Sequence, residues 1–530
     1  MSKKERNPKK NKHPIWFYDV CRRRIFAILI LLLQLVIITW FVIDRSNTST
    51  YVLYAFYALS VLMVLHVVGS RSAPEYKLVF SIMILAFPLF GGVYYALFRL
   101  QSVRARYHRK FSALDAESND LLLLPGDAIT SAAREMPEYQ THMSYLRDFA
   151  KFPVYSDTRT QFLSPGERFF EVFLERLRGA EKYIFLEYFI IHGGKMWDAV
   201  LEVLTERAAA GVDVRIIYDD MGCFLSLPRN YPKQLRRRGI RCAVFNPFIP
   251  VYTDVQNNRD HRKIAVIDGK VAFTGGINIA DEYINEVERF GYWKDASVMV
   301  EGRAAWSFAV MFLRMWFICS PKKEAGESYS ALIRNYYPYD SERPAEFEGA
   351  GYVQPFSDSP LDLEPVGEHV YLQIIYSARK YVYIFSPYLI IDDAMMKALT
   401  LAAKSGVDVR IITPHHPDKP VVHATSRSYY RELIENGVKI YEFADGFLHT
   451  KAFVADDVVA TVGTTNLDYR SLYLHFECGV RLYSSPTVMD IKQDFLSTLD
   501  KCVEIKADDY SKGALGGFGR KLLRLFSPIM

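Results

Sequence analysis

The chain has 530 residues, of which 50% are hydrophobic, and it carries a net charge of +5 and six cysteines. A chain of this length exceeds one ordinary domain and has enough material for a large core. The cysteines are scattered, without a C-x2-C spacing or a nearby histidine partner. We therefore expect free thiols in a reducing compartment rather than a disulfide framework or a zinc site.

The N-terminus is a basic tail, because its first 24 residues hold nine lysines and arginines. Such a run is attracted to anionic phospholipid headgroups, or it serves only to fix membrane topology. We assign residues 1–25 to a basic cytoplasmic tail.

Three apolar stretches follow the tail, at residues 26–43, 51–68 and 78–98. Each is about as long as a bilayer-spanning helix, which needs roughly 17 to 25 residues. The third stretch contains Pro88 and Gly91, so it is the best candidate for a broken or re-entrant element. The sequence thus predicts a multi-pass membrane protein.

Residues 26–100 are accordingly predicted to form a membrane region with two or three helices. A second basic cluster, at residues 99–110, follows the third stretch. Both basic clusters favour the cytoplasmic side, and three full crossings cannot satisfy both. We favour a cytoplasmic catalytic region, joined to the membrane region by a linker at residues 101–137.

From residue 138 onward, strand-like runs alternate with helical patterns, as in α/β proteins with a mixed or parallel sheet. The pattern repeats: residues 182–191 resemble residues 380–391, and the seven letters of residues 211–217 recur unchanged at 406–412. The offset of roughly 190 to 200 residues is far longer than that of a solenoid repeat. The region is therefore predicted to contain two copies of one α/β domain.

We place the first copy at residues 138–321, a linker at 322–350 and the second copy at 351–510. The apolar run at residues 304–319 falls short of bilayer length, so we expect a core helix there. Residues 511–530 form a basic amphipathic tail that either lies on the bilayer surface or packs as a terminal helix.

One motif occurs in both copies with the same offsets. Lysine comes two residues after histidine, aspartate five after lysine, and asparagine seventeen after histidine. The motif residues are His261, Lys263, Asp268 and Asn278 in the first copy and His449, Lys451, Asp456 and Asn466 in the second. A short apolar strand follows each histidine, so the histidine and the lysine project from one face. Two copies brought together suit the binding of a phosphodiester.

This doubled His-x-Lys-x4-Asp-x6-Gly-(Gly/Ser/Thr)-x-Asn pattern resembles the signature of the phospholipase D superfamily. The words at residues 258–263 and 275–283 are more narrowly similar to those of bacterial cardiolipin synthases, and the resemblance covers nearly the whole chain. It implies two phospholipase D-like halves related by a pseudo-twofold axis, behind N-terminal transmembrane helices in a bacterial plasma membrane. It also implies a phosphatidyl transfer from one phosphatidylglycerol to another, giving cardiolipin and glycerol.

The resemblance implies a role for each motif residue. His261 would attack phosphorus to form a phosphohistidine, and His449 would act as general acid and then base; the residues alone leave this order open, because the halves are so alike. The two lysines would balance charge in the transition state. The two asparagines would donate amide hydrogens to the phosphate oxygens.

Asp268 and Asp456, at the ends of their strands, are expected to support the motif loops within the catalytic set. A reactive imidazole also needs an acceptor on its other nitrogen. We assign Glu477 and Asp295, each placed just before a strand, as the residues that orient the two histidines. Glu282 and Glu286 compete with Asp295.

No cofactor or metal is expected, because imidazole chemistry needs no metal and the sequence has no phosphate loop. The expected partners are the membrane phospholipids phosphatidylglycerol and cardiolipin, in an integral membrane protein that does not bind nucleic acid. The oligomeric state is open. Alternative functions are a hydrolytic phospholipase D, another phosphatidyltransferase, a nuclease, which the apolar stretches disfavour, and a membrane scaffold with a decayed site, which the complete motifs disfavour.

Overall fold

The computed structural model describes residues 47–70, 73–87, 128–247, 257–320, 328–339, 351–361, 364–507 and 517–529, with isolated residues between them. The chain forms two compact units, a smaller one at the N-terminus and a larger one that contains both motif copies. The predicted basic tail and most of the first apolar stretch lie outside the described residues.

The N-terminal unit contains helices α1 (Asn47–Gly69) and α2 (Pro74–Ala86). Within the described residues, one helix is long and apolar enough to cross a membrane, at Thr50–Gly69. Its large apolar side chains are mostly exposed, as Tyr51 and Leu62 illustrate. Helix α2 covers only part of the third predicted stretch, and most of the rest of that stretch is outside the described chain. Of the two or three spanning helices that the sequence predicted, the described residues contain one candidate.

The first half of the larger unit is a seven-stranded mixed sheet with helices packed on it. Its strands are β1 (Thr158–Leu163), β2 (Tyr183–Tyr188), β3 (Asp213–Asp219), β4 (Arg241–Phe245), β6 (Lys263–Ile267), β7 (Val271–Gly275) and β9 (Ser297–Gly302), and two short strands, β5 (Arg259–Asp260) and β8 (Tyr292–Lys294), lie outside this sheet. The helices from residue 129 are α3 (Ile129–Glu135), α4 (Gln140–Asp148), α5 (Gly166–Arg178), α6 (Lys195–Ala209), α7 (Tyr231–Arg237), α8 (Ala304–Cys319) and α9 (Tyr329–Tyr336).

The second half repeats this arrangement. Its strands are β10 (Tyr352–Asp358), β11 (Tyr381–Phe385), β12 (Leu389–Ile390), β13 (Asp408–Pro414), β14 (Lys439–Phe443), β15 (Gly446–Leu448), β16 (Ala452–Ala455), β17 (Val459–Gly463), β18 (Leu467–Asp468), β19 (His475–Tyr483) and β20 (Cys502–Ile505). Its helices are α10 (Val366–Ser377), α11 (Asp393–Lys404), α12 (Pro420–Glu435), α13 (Tyr469–Tyr473), α14 (Pro486–Leu499) and α15 (Gly517–Phe526).

The two sheets have the same strand order. The first runs β1-β9-β7-β6-β2-β3-β4, and the second runs β10-β19-β17-β16-β11-β13-β14 with β20 added at its edge. In each sheet the strands that follow one another through a helix are parallel, such as β2 with β3, and the others are antiparallel. This equivalence is the mixed α/β repeat that the sequence predicted.

Helix α8 is the apolar run for which the sequence predicted a core position. Its side chains are buried from Ala304 through Leu313, and it packs across the first sheet. The C-terminal helix α15 packs on α12. There Arg524 pairs with Glu432 at 2.8 Å, so the packed alternative describes this segment.

Asp268 and Asp456 hold the start of a strand in each half. Both have left-handed backbones, with φ of 53° and 55°. Asp268 accepts hydrogen bonds from the backbone N–H groups of Glu181, Lys182 and Tyr183 at 2.7–2.9 Å. Asp456 does the same for residues 379–381. These carboxylates therefore fix the entry to β2 and β11, at the end of the motif strand away from the histidine.

We expect Asp268→Ala to destabilise the protein by about 2 kcal/mol, because it removes a charged acceptor from three backbone donors. The melting temperature measured by circular dichroism should fall by several degrees. Asp393→Ala is the matched control: it removes an exposed aspartate that pairs with Lys397, and a surface pair of this kind contributes little. An equal loss in both variants would contradict the structural role of Asp268.

Candidate active site

Short parallel strand pairs join the two halves beside each motif histidine. Strand β5, just before His261, pairs with the start of β19, and strand β15, just before His449, pairs with β8. The backbone N–H of His261 donates to the carbonyl of Phe476 at 3.0 Å, and that of His449 donates to the carbonyl of Lys294 at 2.7 Å. Each histidine thus starts its motif while hydrogen-bonded to the other half.

The residue after each accepting carbonyl is a carboxylate that contacts the histidine ring. His261 Nδ1 lies 2.9 Å from Glu477 Oε1, and His449 Nδ1 lies 2.7 Å from Asp295 Oδ2. The pairs are crossed, because each imidazole is held by a carboxylate of the opposite half. Glu282 and Glu286 pair with Arg289 and Lys195 instead, so neither contacts a motif histidine.

This contact leaves Nε2 of each imidazole available for chemistry. When the carboxylate is ionised, Nδ1 donates to it and Nε2 carries the lone pair. Burial, with the charge of Lys263 adding to it, lowers the pKa of His261 well below its usual range. Burial also lowers the pKa of His449 to about 4, although Asp295 opposes the shift. These shifts favour the neutral form of both imidazoles near pH 7.

The two carboxylates differ in their charge. Burial raises the pKa of Glu477 to about 8, against the opposing charge of Lys263. Burial also opposes ionisation of Asp295, but His449 and Lys451 outweigh it and lower its pKa. The carboxyl group beside His261 is thus the one that gains a proton more readily.

Both motif lysines are buried and lie beside their own histidines. Lys263 Nζ donates to the carbonyl of His261 at 2.6 Å, and Lys451 Nζ donates to the carbonyl of His449. Burial lowers the pKa of Lys263 to about 8. Burial, with the positive charge of Lys263 adding to it, lowers the pKa of Lys451 to about 7. An anion between these two ammonium groups would hold both of them charged.

The two motif asparagines have different surroundings. Asn278 Oδ1 accepts from the backbone N–H of Ile190 at 3.0 Å, and its Nδ2 donates to the hydroxyl of Tyr283 at 2.7 Å. Asn466 Oδ1 is buried without a hydrogen-bond partner within the described residues. The sequence had suggested that the two amides are equivalent donors. They are not equivalent, because one amide hydrogen of Asn278 is already bonded to Tyr283.

The two glycine-rich turns support the two carboxylates differently. A Cβ on Gly276 would lie 2.0 Å from Asp295 Oδ1, so the missing side chain makes room for that carboxylate. In the second half the same position is Thr464, whose hydroxyl donates to Glu477 Oε2 at 2.5 Å. Glycine thus makes room for the carboxylate of Asp295, whereas a threonine hydroxyl group binds the carboxylate of Glu477.

Aromatic rings enclose the imidazoles, and these residues were not found by sequence reasoning. Phe189 packs edge-on against His261 with ring centres 5.0 Å apart. Trp293 and Tyr283 lie 5.5 and 5.6 Å from the ring of His449. The ring of His475 lies 5.5 Å from that of His261. The spacing of His475 two residues before Glu477, like that of Trp293 before Asp295, was the signal available in the sequence.

A buried charge network lies beside His261 and holds its loop. Arg262 pairs with Glu187 at 2.5 Å and with Asp260 at 3.1 Å. Arg259 reaches Asp219 at 3.4 Å. These pairs fix the residues on either side of the histidine.

Within the described chain, one group of side chains has atoms spaced closely enough for a metal ion: His261, His475 and Glu477, with ligand atoms within 4.8 Å of one another. The hydrogen bond between His261 and Glu477 accounts for most of this proximity. His415, another histidine considered in the sequence, bonds Glu442 through Nδ1 at 2.8 Å, outside the group that contains the motif histidines.

Comparisons with known proteins show the family to which this chain is similar. The model of a family described as "Cardiolipin synthase, PLD-like domain" matches residues 173–316 and 371–499. A cardiolipin synthase of Geobacillus sp. is 34% identical over 462 residues, covering 86% of this chain and 89% of that protein. One of Halalkalibacterium halodurans is 32% identical over 510 residues, covering 94% and 99%. An uncharacterized protein of Streptococcus mutans is 44% identical over 440 residues, covering 82% and 92%.

The solved structure of a phosphatidylserine synthase from Haemophilus influenzae has the same fold. It aligns with a TM-score of 0.54 at 16% identity, covering 70% of this chain and 93% of that chain. The fold and the doubled motif together define a phospholipase D-like enzyme of the phosphatidyltransferase type. Within that class, the chain belongs to the cardiolipin synthase family.

We expect kcat/KM to follow a bell-shaped pH profile with its maximum between about pH 7 and 8. The rising limb reflects loss of the extra proton from the His261–Glu477 pair, because the pKa of Glu477 is raised to about 8. The falling limb reflects loss of charge from Lys451, whose pKa is lowered to about 7. Such interacting groups titrate with apparent values that belong to the set.

Initial rates between pH 5.5 and 9.5 test this profile. Lys451→Arg keeps its charge throughout this range, so its falling limb should move up to the pH at which Lys263 loses its charge, since the pKa of Lys263 is about 8, even if its maximum rate is lower. A falling limb unchanged by Lys451→Arg would show that Lys451 does not cause it.

We expect the crossed pairs to couple across the halves. Glu477→Gln should lower kcat by about 10² to 10⁴, since an amide does not hold the imidazole in the reactive tautomer. In a His261→Ala background, Glu477→Gln should cause little further loss of rate. Asp295→Asn should still lower the rate there, because Asp295 acts through His449. Residual single-turnover rates measure this coupling, and independent, additive losses for His261 and Glu477 would contradict it.

Proposed function

We propose that this chain transfers the phosphatidyl group of one phosphatidylglycerol to a second, giving cardiolipin and glycerol. The observation that carries the proposal is the crossed arrangement of two imidazoles, each held at Nδ1 by a carboxylate of the opposite half. Two imidazoles with free Nε2 atoms are the groups needed to form and resolve a covalent intermediate. Membership of the cardiolipin synthase family supports the choice of substrate.

In the first step, the lone pair of His261 Nε2 forms a bond to phosphorus, and the bond from phosphorus to the glycerol headgroup oxygen breaks. That oxygen takes a proton from Nε2 of His449, which the anionic substrate and Asp295 together favour in its cationic form. Lys263 and Lys451 balance the charge that gathers on the phosphate oxygens. Glycerol leaves, and the phosphatidyl group remains on His261.

In the second step, neutral His449 accepts the proton of a hydroxyl group of the second phosphatidylglycerol. The oxygen so freed attacks phosphorus, the bond from phosphorus to His261 Nε2 breaks, and cardiolipin forms. One phosphodiester replaces another, so the transfer needs no nucleotide. The motif histidines are buried, with less than 10% of each residue exposed, which limits the access of water to the intermediate and supports transfer over hydrolysis.

We infer that the protein is an integral, multi-pass protein of the bacterial plasma membrane, which brings the site to its lipid substrates. Helix α1 supports this location, because it contains a 20-residue apolar segment with largely exposed side chains. The basic residues of the N-terminal tail support contact with anionic lipid headgroups on the cytoplasmic side.

The function is tested with purified protein in phosphatidylglycerol vesicles. We expect one glycerol released for each cardiolipin formed, measured by coupled assay and by mass spectrometry of the lipids. His261→Ala should reduce both products to a small residual rate. His369→Ala, which removes a partly exposed histidine that bonds Glu364, is the matched control and should retain activity. Phosphatidic acid without cardiolipin would identify a hydrolase instead.

The orientation of the catalytic region is tested by cysteine labelling. We expect Ser112→Cys, in a background without the natural cysteines, to resist an impermeant maleimide in intact cells and to react after permeabilisation. Strong labelling of intact cells would place the catalytic region on the outer side of the plasma membrane.

A further inference from the structure

The two half-sites differ at one position that follows from their shared strand register. In the second half, His475 pairs with Arg259, two residues before His261. In the first half, Trp293 pairs with Phe447, two residues before His449. Both rings lie 5.5 Å from the motif imidazole of the opposite half. His475 and Trp293 are therefore structural counterparts with different chemistry.

His475 is placed to act on the carboxylate that orients His261. Its Nδ1 lies 3.8 Å from Glu477 Oε1, the same oxygen that lies 2.9 Å from His261 Nδ1. The side chain of His475 is 11% exposed. Its Nδ1 is buried and has no hydrogen-bond partner in the described chain. A small movement of either side chain would close this gap.

The surroundings favour a neutral His475, which can donate one N–H. Burial and neighbouring cationic groups lower its pKa well below the usual range. The charged groups that face it are Glu477 on its own strand, Lys263 and Arg259 in the first half, and Arg470 on α13. Indole can donate a hydrogen bond, but it has no acceptor nitrogen and does not exchange a proton at this pH.

We propose that His475 is a positioning residue that donates its Nδ1–H to Glu477 as the phosphohistidine forms on His261. This inference rests on the proposed function for its covalent step. When Nε2 of His261 bonds to phosphorus and the glycerol oxygen leaves, the ring becomes cationic and keeps its Nδ1–H on Glu477. A second donor on that carboxylate stabilises its ionised form, so Nδ1 of His261 keeps its proton and Nε2 keeps its lone pair.

The counterpart pair in the first half supports the same assignment. Asp295 already has an ionised carboxylate, accepts from the backbone N–H of Ala296 at 2.8 Å and is flanked by Trp293. Burial, in contrast, raises the pKa of Glu477 to about 8, so its ionised form gains from another donor. The additional imidazole, that of His475, thus lies beside the proposed nucleophile His261, whereas the indole of Trp293 lies beside the proposed general acid His449.

The test compares His475→Phe and His475→Leu, which lack a donor, with His475→Asn, which keeps one. Single-turnover release of glycerol from phosphatidylglycerol in mixed micelles is measured between pH 5.5 and 9.5. We expect the donor-free variants to lose about 10- to 100-fold in kcat with little change in KM, as for other groups that orient a reactive ligand. Their rising pH limb should move up by about one unit, while His475→Asn should keep the wild-type limb and most of the rate.

Trp293→Phe is the matched control at the equivalent position, and its rising limb should stay at the wild-type pH. Equal losses in the Phe, Leu and Asn variants without a shift of the limb would show that His475 only packs, and a wild-type rate in the Phe or Leu variant would show that it has no role. The same shift in Trp293→Phe would also overturn the proposal.

Glycerol release precedes the choice of acceptor. An enzyme that releases glycerol but forms no cardiolipin would therefore contradict the proposed function while still reporting on His475. Thermal melting of each variant separates loss of folding from loss of rate, and the Leu variant serves if the Phe variant does not fold.

Discussion

The site depends on one reciprocal contact, in which each motif histidine enters its strand while hydrogen-bonded to the other half. That contact sets the register, so the next residue of the partner strand is the carboxylate that meets the imidazole. Neither half contains a complete pair by itself. Because a buried imidazole without an acceptor would leave its Nδ1 unsatisfied, association of the halves and formation of the reactive tautomers are the same event.

The buried cations explain why the site suits an anion. Lys263 and Lys451 are nearly inaccessible to water, and a buried ammonium group is costly unless an opposite charge offsets it. Their lowered pKa values express this cost. A phosphodiester supplies the missing negative charge, so binding of the substrate restores both ammonium groups. The transition state, which carries more charge on the phosphate oxygens, benefits further.

Much of the fold could be predicted from the sequence, because local patterns carry it. The seven letters shared by residues 211–217 and 406–412 begin equivalent strands β3 and β13, and the repeat became two sheets of the same order. The doubled motif likewise identified the residues that meet. The crossing of Asp295 and Glu477 could not be predicted, since it depends on the pairing of β5 and β8, strands of two or three residues whose partner strands lie 216 and 154 positions further along the chain.

Other features that the sequence did not predict also depend on contacts made only in the folded chain. The partner of the Asn278 amide, Tyr283, is five residues away, and only the turn of the chain brings them together. His475 has no motif around it, and its role depends on a neighbour from the other half. The membrane region had the clearest pattern of all, but hydropathy reports only that a stretch is apolar. The described part of that region contains one helix of spanning length, Thr50–Gly69.

The differences between the half-sites are concentrated around the imidazoles, whereas the supporting scaffold is alike. Gly276 faces Asp295 where Thr464 holds Glu477, and Trp293 is replaced by His475. A transfer reaction needs one group that bonds to phosphorus and another that moves a proton, so two identical half-sites would compete for both roles. A duplicated fold supplies the matched geometry, and in the proposed mechanism the contacts that differ beside each ring favour His261 as the nucleophile and His449 as the acid. The two motif histidines are alike in their own contacts to a carboxylate, so the asymmetry that the proposed mechanism requires must come from their neighbours.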